Sequence, residues 1–328
     1  MTKADLDKYR STRILVIGDV MLDHFIWGSV RRISPEAPVP IVEVTGETYY
    51  PGGAANVARN VSPFTSHVML MGRVGRDIQA DQLRQLLQEE GVNCEALLTH
   101  PTLPTISKAR IVARQQQVVR VDREKIVRLS AEETVEVEHR LRAAAPLLDA
   151  IIIEDYGKGM VTDSMVEAVV RVAREFKILV TVDPSPRNPV RWEGVDLVKP
   201  NRTEAFAAAG IEDHTQHVPA TENEELLRVG EILLGKWNVP RVLVTLGEQG
   251  MMLFQREGAR HHIPTRAREV FDVSGAGDTA IALLTLALAS GASAEQAADV
   301  ANHASGIVVG KLGTARLTPD ELLAAYAS

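Results

Sequence analysis

Short apolar runs rich in β-branched residues recur along the chain, separated by longer stretches with helical periodicity. The runs are residues 14–18, 68–71, 151–153, 178–182, 195–198 and 242–245. Because they are almost continuously apolar, they are typical of parallel strands buried on both faces. Helix-start signals lie between them, such as Ser130 followed by Glu133. This alternation predicts an α/β fold, a three-layer α/β/α sandwich with a mostly parallel central sheet.

Two segments follow a different pattern, in which apolar and polar residues alternate. Residues 40–50 and 105–122 show this period of two, which predicts half-exposed antiparallel strands. They are too short to form a core of their own. We therefore expect a single domain over residues 1–328, with a small inserted β-flap whose strands lie around residues 38–50 and 103–122. Such a flap would cover a site or pair with a second copy of the chain in a homodimer.

Composition and charge narrow the class of protein. The 328 residues include 36 Lys and Arg against 43 Asp and Glu, a formal net charge of −7, and 45% are hydrophobic. The longest apolar run, residues 281–289, is interrupted by Thr285 and is far shorter than the about 20 residues that span a bilayer, and the polar start lacks a signal peptide. With one cysteine, Cys94, no internal disulfide can form. We expect a cytoplasmic protein with no membrane partner.

The same figures argue against a nucleic-acid partner. The net charge is negative, only 4% of the residues are aromatic, and no Lys/Arg-rich tract occurs. An anionic ligand would therefore have to be held by local dipoles, a few cations or a metal.

The segment around Asp278 carries the clearest chemistry. Gly275 and Gly277 permit a tight turn just before an almost entirely apolar helix. The free N–H groups and the dipole of that helix start attract anions. A phosphoryl oxygen cradled by Ala276, Gly277 and Asp278 N–H groups, beside a carboxylate base, is what the phosphorylation of an alcohol needs. The alternative is an Asp that merely caps a helix behind a glycine turn.

Further polar residues follow other predicted strands, where open α/β sheets bind ligands. They are Asp19, the helix start with Gly52, Gly53 and Asn56, the group Lys199, Asn201 and Glu204, and the pair Thr245 and Gly247. Together and in this order, the four segments and the Asp278 turn resemble the PfkB or ribokinase-like family of sugar kinases over nearly the whole chain. The resemblance implies a ribokinase-like fold, ATP as phosphoryl donor and Mg²⁺ as metal.

The resemblance also implies a role for each residue. Asp278 would be the general base, and Gly275, Ala276 and Gly277 the anion hole. Asp19, Gly52, Gly53 and Asn56 would bind sugar hydroxyls, for which a carboxylate and an amide have suitable acceptors and donors. The alternatives are a turn residue for Asp19 and a helix-surface amide for Asn56.

The nucleotide and metal positions come from the same resemblance. Asn201 and Glu204 match an Asn-x-x-Glu pair that organises Mg²⁺ through water, and their spacing predicts one helix face. Lys199, Thr245 and Gly247 would contact the ATP phosphates and ribose. Asn302 and Gly313 would lie at the adenine end, although Asn302 also fits a polar residue on an Ala-rich helix. Asp272 and Ser274 resemble positions that carry a monovalent cation such as K⁺ in some relatives.

A narrower resemblance concerns the acceptor. Residues 18–23, 34–40, 52–56 and 155–159 resemble the branch of the family that phosphorylates D-glycero-β-D-manno-heptose 7-phosphate at its anomeric hydroxyl, in ADP-heptose and lipopolysaccharide-core biosynthesis. Because no His-x-Gly-His tract occurs, we expect a stand-alone kinase, with adenylyl transfer on another polypeptide. Pro63 departs from the family pattern and predicts an early helix end.

The acceptor's own phosphate would need cations. Lys108, Arg110 and Arg114 are expected on one face of the flap at period two, and Arg187 lies near a strand end. The alternative is that these are ordinary solvated charges. Two other functions stay open: a PfkB kinase for ribose, fructose or a nucleoside-like substrate, and a sugar-phosphate-binding regulator without turnover.

Overall fold

The computed structural model describes residues 1–114, 116–266, 271–311 and 315–327. Its strands are β1 (Ile14–Gly18), β2 (Val20–Ile33), β3 (Pro40–Gly53), β4 (Val68–Met71), β5 (Arg73–Val74), β6 (Leu98–Thr99), β7 (Ser107–Ala113), β8 (Gln116–Arg123), β9 (Ala150–Glu154), β10 (Leu179–Asp183), β11 (Leu197–Val198), β12 (Arg241–Thr245), β13 (Met251–Gln255) and β14 (Arg260–Ile263). Its α-helices are α1 (Lys3–Ser11), α2 (Ala54–Val61), α3 (Ile78–Glu89), α4 (Ala131–Ala144), α5 (Asp163–Phe176), α6 (Arg202–Ala209), α7 (Glu224–Lys236), α8 (Ala276–Ala289), α9 (Ala294–Val308) and α10 (Pro319–Ala327).

The central sheet has the strand order β14-β13-β12-β11-β10-β9-β1-β4. Pairing is parallel from β4 to β12 and antiparallel for β13 and β14 at one edge. All six apolar runs of the sequence form strands of its parallel part, as predicted. The sheet therefore brings the carboxyl ends of these strands to a common edge, where the ligand-type residues were expected.

Helices cover both faces of the sheet. Ile14 and Val16 of β1 belong to a buried cluster with the apolar sides of α2, α3, α8 and α9. Leu15 and Ile17 point to the other face, into a cluster with α4, α5, α6 and α7. Because successive side chains of a strand face opposite sides, one buried strand supplies both cores. The predicted three-layer sandwich is confirmed.

The flap is a separate sheet of order β3-β2-β7-β8. The β2–β3 and β7–β8 pairs are antiparallel, whereas β2 and β7 pair in parallel. Strands lie over both segments with period-two alternation. β2 is an addition that the sequence did not indicate. It follows β1 after a single residue, and β3 leads directly into α2, so the flap grows out of the edge that carries the polar residues.

Local signals set several helix ends. Ser130 and Glu133 form a reciprocal capping box at α4, and Ser293 and Gln296 form one at α9. α2 ends at Val61, ahead of Pro63, as predicted. Within the described ranges, none of the helices combines the length and apolar character needed to cross a bilayer.

Candidate active site

Polar side chains from several strand ends meet at the carboxyl edge of the parallel strands. Asp19 follows β1, Glu154 and Asp183 end β9 and β10, and Lys199 follows β11. Each of these side chains is largely buried. α8 starts beside them, because a Cβ placed on Gly277 would lie 3.7 Å from Lys199 Nζ and 3.9 Å from Asp183 Oδ2.

Asp278 lies in the first turn of α8 but does not cap it. Gly275 is the N-cap, in the left-handed region at φ 80°, so Asp278 is the third helical residue. Its carboxylate accepts a hydrogen bond from Asn56 Nδ2 on Oδ2 at 2.6 Å and one from Tyr156 Oη on Oδ1 at 2.9 Å. The alternative of a simple Asp cap is therefore wrong.

The start of α8 offers backbone donors next to that carboxylate. Gly277 and Asp278 occupy the second and third helical positions, whose N–H groups have no acceptor within their own helix. No side chain of the described residues caps this helix. The Ala276 N–H, however, donates to the Val273 carbonyl at 3.3 Å. Among the described residues, the Gly277 and Asp278 N–H groups are therefore the two donors of the predicted three-donor cradle that lack an acceptor within α8.

Burial controls the protonation of the base candidate. Burial raises the pKa of Asp278 to about 6, while the hydrogen bonds from Asn56 and Tyr156 oppose that rise. Nearby Asp183 adds to it, and Lys199 counteracts it. Asp278 is thus ionised at neutral pH. Its pKa lies closer to neutral pH than that of an exposed aspartate, as suits a general base.

Lys199 and Asp183 form a buried ion pair beside the helix start. Lys199 Nζ lies 2.8 Å from Asp183 Oδ2, and only 2% of the lysine side chain is exposed. Burial raises the pKa of Asp183, although Lys199 works against it. Lys199 was predicted to contact ATP phosphates. Its ammonium group is held by Asp183 at the position where α8 offers its free N–H groups.

Asp19 fixes a loop rather than lying open to solvent. Its carboxylate accepts the backbone N–H groups of Tyr156, Lys158 and Met160, each at 2.9 Å. It is 2% exposed, and burial raises its pKa against the effect of these three bonds. Sugar binding by Asp19 stays a prediction, whereas its hold on residues 156–160 is directly visible.

Gly52 and Gly53 end β3 and lead directly into α2, which carries Asn56. Gly53 has φ 59°, and a Cβ there would lie 2.4 Å from the Asp19 carbonyl oxygen, so only glycine fits. A Cβ on Gly52 would lie 2.5 Å from Asp23 Oδ2. Asn56 is 4% exposed and is bonded to Asp278, so it is not a helix-surface amide.

The Asn-x-x-Glu pair lies at the start of α6. Asn201 precedes α6 as its N-cap, so it lies just outside the helix, and the two side chains lie side by side at the helix start. Asn201 Oδ1 accepts the Glu204 N–H at 2.9 Å, and Glu204 Oε2 accepts the Asn201 N–H at 2.8 Å. A capping box and a pair on one helix face use the same i, i+3 spacing, so the sequence alone does not distinguish them.

These two side chains carry oxygen atoms of the kind that Mg²⁺ binds, and magnesium binding by them stays a prediction. Within the described ranges, no cluster of three or more Asp, Glu, His or Cys could hold a metal by itself. Mg²⁺ needs no such cluster, because it usually keeps several waters and binds one or two carboxylates plus substrate phosphates. The partly buried carboxylate of Glu204, which lies near Lys199, fits such an ion, with Asn201 beside it.

The remaining nucleotide positions are separated along the sheet edge. Thr245 ends β12 and pairs with Asn201, and Gly247 begins an exposed single turn at φ 59°. Asn302 is 4% exposed and donates from Nδ2 to the Pro264 carbonyl at 2.7 Å, which favours the structural alternative for this residue. Gly313 lies outside the described residues.

The candidate monovalent-cation segment forms a local turn. Asp272 Oδ1 accepts the Ser274 N–H at 2.9 Å, and the Asp272 N–H donates to the Val309 carbonyl. This geometry joins the segment to the end of α9. Cation binding there stays a prediction.

The cations proposed for the acceptor's phosphate are only partly gathered. Lys108 and Arg110 lie on β7, and Arg110 pairs with Asp23, next to Gly52. β7 ends at Ala113, so Arg114 lies in the following turn at φ 49°, and the expected single face of three cations is wrong. Lys108 Nζ is 3.3 Å from Asp122 Oδ2. Arg187 is exposed, and its Cβ would be 3.7 Å from a Cβ on Gly157.

Three residues of the site were not predicted, namely Glu154 at the end of β9, Tyr156 and Asp183. Tyr156 reaches Asp278 from the loop after β9, and Asp183 pairs with Lys199 at the end of β10. All three follow or end an apolar run that was itself identified as a strand. Their place at the carboxyl ends of parallel strands is the signal that could have indicated them.

Comparison with known proteins identifies the family of the chain. A family model described as "pfkB family carbohydrate kinase" matches residues 11–321. Among similar proteins are two called "Bifunctional protein HldE". The one from Geobacter metallireducens is 42% identical over 314 residues, covering 96% of this chain and 63% of the relative. The one from Edwardsiella ictaluri is 40% identical over 320 residues, covering 98% of this chain and 64% of the relative. This chain thus spans less than two thirds of these relatives.

Solved structures share the fold at low identity. Ribokinase from Giardia lamblia matches with a TM-score of 0.74 and 19% identity, covering 97% of this chain and 99% of its own. Arabidopsis thaliana ribokinase, complexed with ribose and ATP, has a TM-score of 0.70, 18% identity and coverage of 96% and 98%. Phosphofructokinase-2 from Escherichia coli, in complex with potassium, has a TM-score of 0.72 and 20% identity, covering 96% of this chain and 98% of its own. The fold is ribokinase-like, and the chain belongs to the pfkB family of carbohydrate kinases.

Proposed function

We propose that this protein transfers the γ-phosphoryl group of ATP to the anomeric hydroxyl of D-glycero-β-D-manno-heptose 7-phosphate. The products are the 1,7-bisphosphate and ADP. The observation that carries the proposal is the buried carboxylate of Asp278 beside the free N–H groups of α8, with Asn56 and Tyr156 bonded to its two oxygens. A base and an anion-binding helix start at one point are what transfer to an alcohol requires.

The chemical step assigns a role to each group. Asp278 accepts the proton of the sugar hydroxyl as its oxygen attacks the γ-phosphorus, and the bond to the β-phosphate oxygen breaks. The N–H groups of Gly277 and Asp278 and the ammonium of Lys199 stabilise charge on the transferred group. A bound Mg²⁺, held through water by Asn201 and Glu204, would neutralise phosphate charge.

A narrow cleft next to Asp19, lined by three cations, supports the proposal of a phosphorylated acceptor. Arg73, Lys125 and Lys158 line this cleft together with Asp19 itself. Lys158 Nζ lies 2.7 Å from Glu124 Oε2, and Arg73 lies 3.1 Å from Glu133 Oε2. These positive groups come from three separate segments and converge beside the residue proposed to bind sugar hydroxyls. They supplement Arg110 and Arg187 as ligands for the distant phosphate.

The relatives support the proposal at different levels. The similarity to the proteins named "Bifunctional protein HldE" supports the heptose branch of the family. In this proposal the chain corresponds to the kinase part of those relatives. The ribokinase solved with ribose and ATP supports ATP as donor, and the phosphofructokinase-2 solved with potassium supports K⁺ as a cation that this fold can bind.

We also propose a homodimer formed through the flap, in the cytoplasm. Apolar side chains are exposed there, with Val44 of β3 at 55% and Val121 of β8 at 54%. β3 and β8 are the two edges of the flap sheet and offer unpaired backbone groups. A second copy of the chain would cover both.

The test is ADP release from ATP and Mg²⁺ with a panel of sugars and sugar 7-phosphates. We expect turnover of the heptose 7-phosphate well above that of ribose, fructose or nucleosides. Asp278→Asn should lower kcat by at least about 100-fold while sugar binding persists, because it removes the base and keeps its shape. Asp299→Asn on α9 is the control and should retain activity.

Three outcomes would contradict the proposal in different ways. Equal or better turnover of an unphosphorylated sugar would assign the protein to another sugar kinase. Sugar-phosphate binding without any ADP release would favour a regulator. Activity that survives in Asp278→Asn would show that another group is the base.

A further inference from the structure

Tyr156 stands out because its hydroxyl and its ring lie in different environments. The hydroxyl donates to Oδ1 of the buried Asp278 at 2.9 Å, whereas 38% of the residue is exposed. The side chain therefore lines the open side of the site and reaches the base from there. Nothing in the proposed chemistry yet uses this residue.

The loop that carries Tyr156 is held firmly at its base. Asp19 accepts the N–H of Tyr156 itself, as well as those of Lys158 and Met160. Asp155 accepts the Gly157 N–H at 2.8 Å and an amide hydrogen of Asn188 at 3.0 Å. The position of the Tyr156 hydroxyl thus depends on buried carboxylates at two strand ends.

Asp278 is held from two opposite elements. Asn56 on α2 binds Oδ2, and Tyr156 on the loop after β9 binds Oδ1. A carboxylate oxygen has two acceptor positions, so each oxygen retains one. The acceptor alcohol can therefore donate to Asp278 without displacing either partner.

We propose that Tyr156 is a positioning residue for phosphoryl transfer. Its hydroxyl stays on Asp278 Oδ1 during turnover, fixes the orientation of the carboxylate and leaves one lone pair directed at the acceptor alcohol. This inference rests on the proposed function, because it assigns Tyr156 a part in the same reaction.

The electrostatics of the site agree with this role. Asp278 is faced by Asn56 and Tyr156 as donors, by Asp183 as a like charge and by Lys199 as an opposite one. Burial of the Tyr156 hydroxyl, with Asp278 and Glu154 nearby, raises its pKa well above the ordinary value. Tyr156 therefore remains a donor over the whole working pH range, and its bond favours the ionised form of the base.

The test compares Tyr156→Phe with a matched control. Tyr326→Phe also removes one tyrosine hydroxyl bonded to an aspartate, Asp299, at 2.7 Å, but on α10. We expect Tyr156→Phe to lower kcat about 10- to 100-fold, the effect of losing one hydrogen bond to a charged group, with KM for ATP and sugar nearly unchanged. The acidic limb of its pH–rate profile should move up by about one pH unit. Tyr326→Phe should leave both kcat and the limb in place.

Two results would overturn the inference. One is a wild-type kcat and pH profile in Tyr156→Phe. The other is an unchanged kcat with a lower KM for the sugar, which would mean that the hydroxyl only obstructs the acceptor site.

A second measurement does not depend on the substrate. Carboxyl-¹³C NMR titration, with the Asp278 signal assigned from Asp278→Asn, should show a higher pKa for Asp278 in Tyr156→Phe than in the wild type. If the wild type turns over no sugar but this pKa moves, the proposed function has failed while the Tyr156 contact is real. An unchanged pKa would overturn the inference itself.

Discussion

The buried ammonium group of Lys199 lies among carboxylates. Its nearest partner is Asp183, and Glu154, a carboxyl with an unpartnered Oε2 among the described residues, also interacts with it. Removing a single member of a buried pair leaves the other charge without compensation. The pair is therefore better understood as a unit than as two separate ligands.

Lys199→Met should destabilise the fold by about 3–5 kcal/mol, because it leaves Asp183 charged and buried without its cation. The double variant Lys199→Met with Asp183→Asn should recover part of that loss. Urea denaturation monitored by circular dichroism measures both. Lys236→Met, on the exposed end of α7, is the control and should change stability by no more than about 0.5 kcal/mol. Equal effects of the two lysine variants would contradict a stabilising ion pair.

The protonation of Asp278 sets the pH range of activity. With a pKa of about 6, the carboxylate is ionised above that pH and protonated below it. A general base must be ionised, so kcat/KM should fall about tenfold per pH unit below about pH 6 and level off above it. A pH–rate profile measured with saturating ATP tests this. Constant activity down to pH 5 would rule out Asp278 as the titrating base.

At the level of elements, the junction between β3 and α2 determines where Asn56 points. Gly53 is the N-cap of α2 at φ 59°, and the Ala54 N–H donates to the Asp19 carbonyl at 3.0 Å. β3 of the flap and the helix that carries Asn56 thus meet at Gly53, next to Asp19.

Gly53→Ala should cost more than about 1 kcal/mol, because the left-handed backbone and the 2.4 Å approach to the Asp19 carbonyl both exclude a Cβ. It should also lower kcat, since a shift of α2 moves Asn56 away from Asp278. Gly46→Ala on the same strand is the matched control, because a Cβ there meets nothing within 4 Å. Thermal melting and ADP release measure the two effects. Similar melting temperatures for the two variants would refute this account of the junction.

At the scale of the whole molecule, the flap combines exposed apolar side chains with two open sheet edges. Its β2–β3 strands are long, with 14 residues each, and they project from the site edge with apolar side chains exposed. A sheet with two open edges and exposed valines is a surface that pairing would protect.

Val121→Glu should weaken a flap-mediated dimer at least about tenfold, because pairing would bury an uncompensated charge. Val135→Glu is the control: Val135 is even more exposed, at 68%, but lies on α4, away from the flap. Sedimentation-velocity ultracentrifugation across a concentration series measures the association. Dimers in both variants, or a monomeric wild type, would contradict the flap interface.

Local signals were sufficient for much of the fold. The six apolar runs, the capping boxes at Ser130 and Ser293 and the helix end before Pro63 depend on neighbours within a few residues. The glycine turn before Asp278 is equally local, because Gly275 and the start of α8 adjoin in the chain. Periodicity and capping are properties of short segments, so a reader of the sequence can find them without knowing how the segments pack.

Where the same spacing fits two geometries, the sequence did not decide between them. Asn201 and Glu204 fit one helix face and a capping box equally well, and the folded chain adopts the box. Asn302 fitted a nucleotide ligand or a packing amide, and its bond to the Pro264 carbonyl favours packing. Arg114 followed the alternation of Lys108 and Arg110, but β7 had ended before it.

The amino-acid order by itself determined the layers of the fold, the edge of the sheet that carries the polar residues, and the presence of a carboxylate behind a glycine turn. Only the tertiary structure decided what touches that carboxylate. Asn56 and Tyr156 are 222 and 122 residues away from Asp278 along the chain. Contacts over such distances depend on how helices and strand ends pack against one another, and no local pattern of polarity encodes the 2.6 Å and 2.9 Å bonds that result.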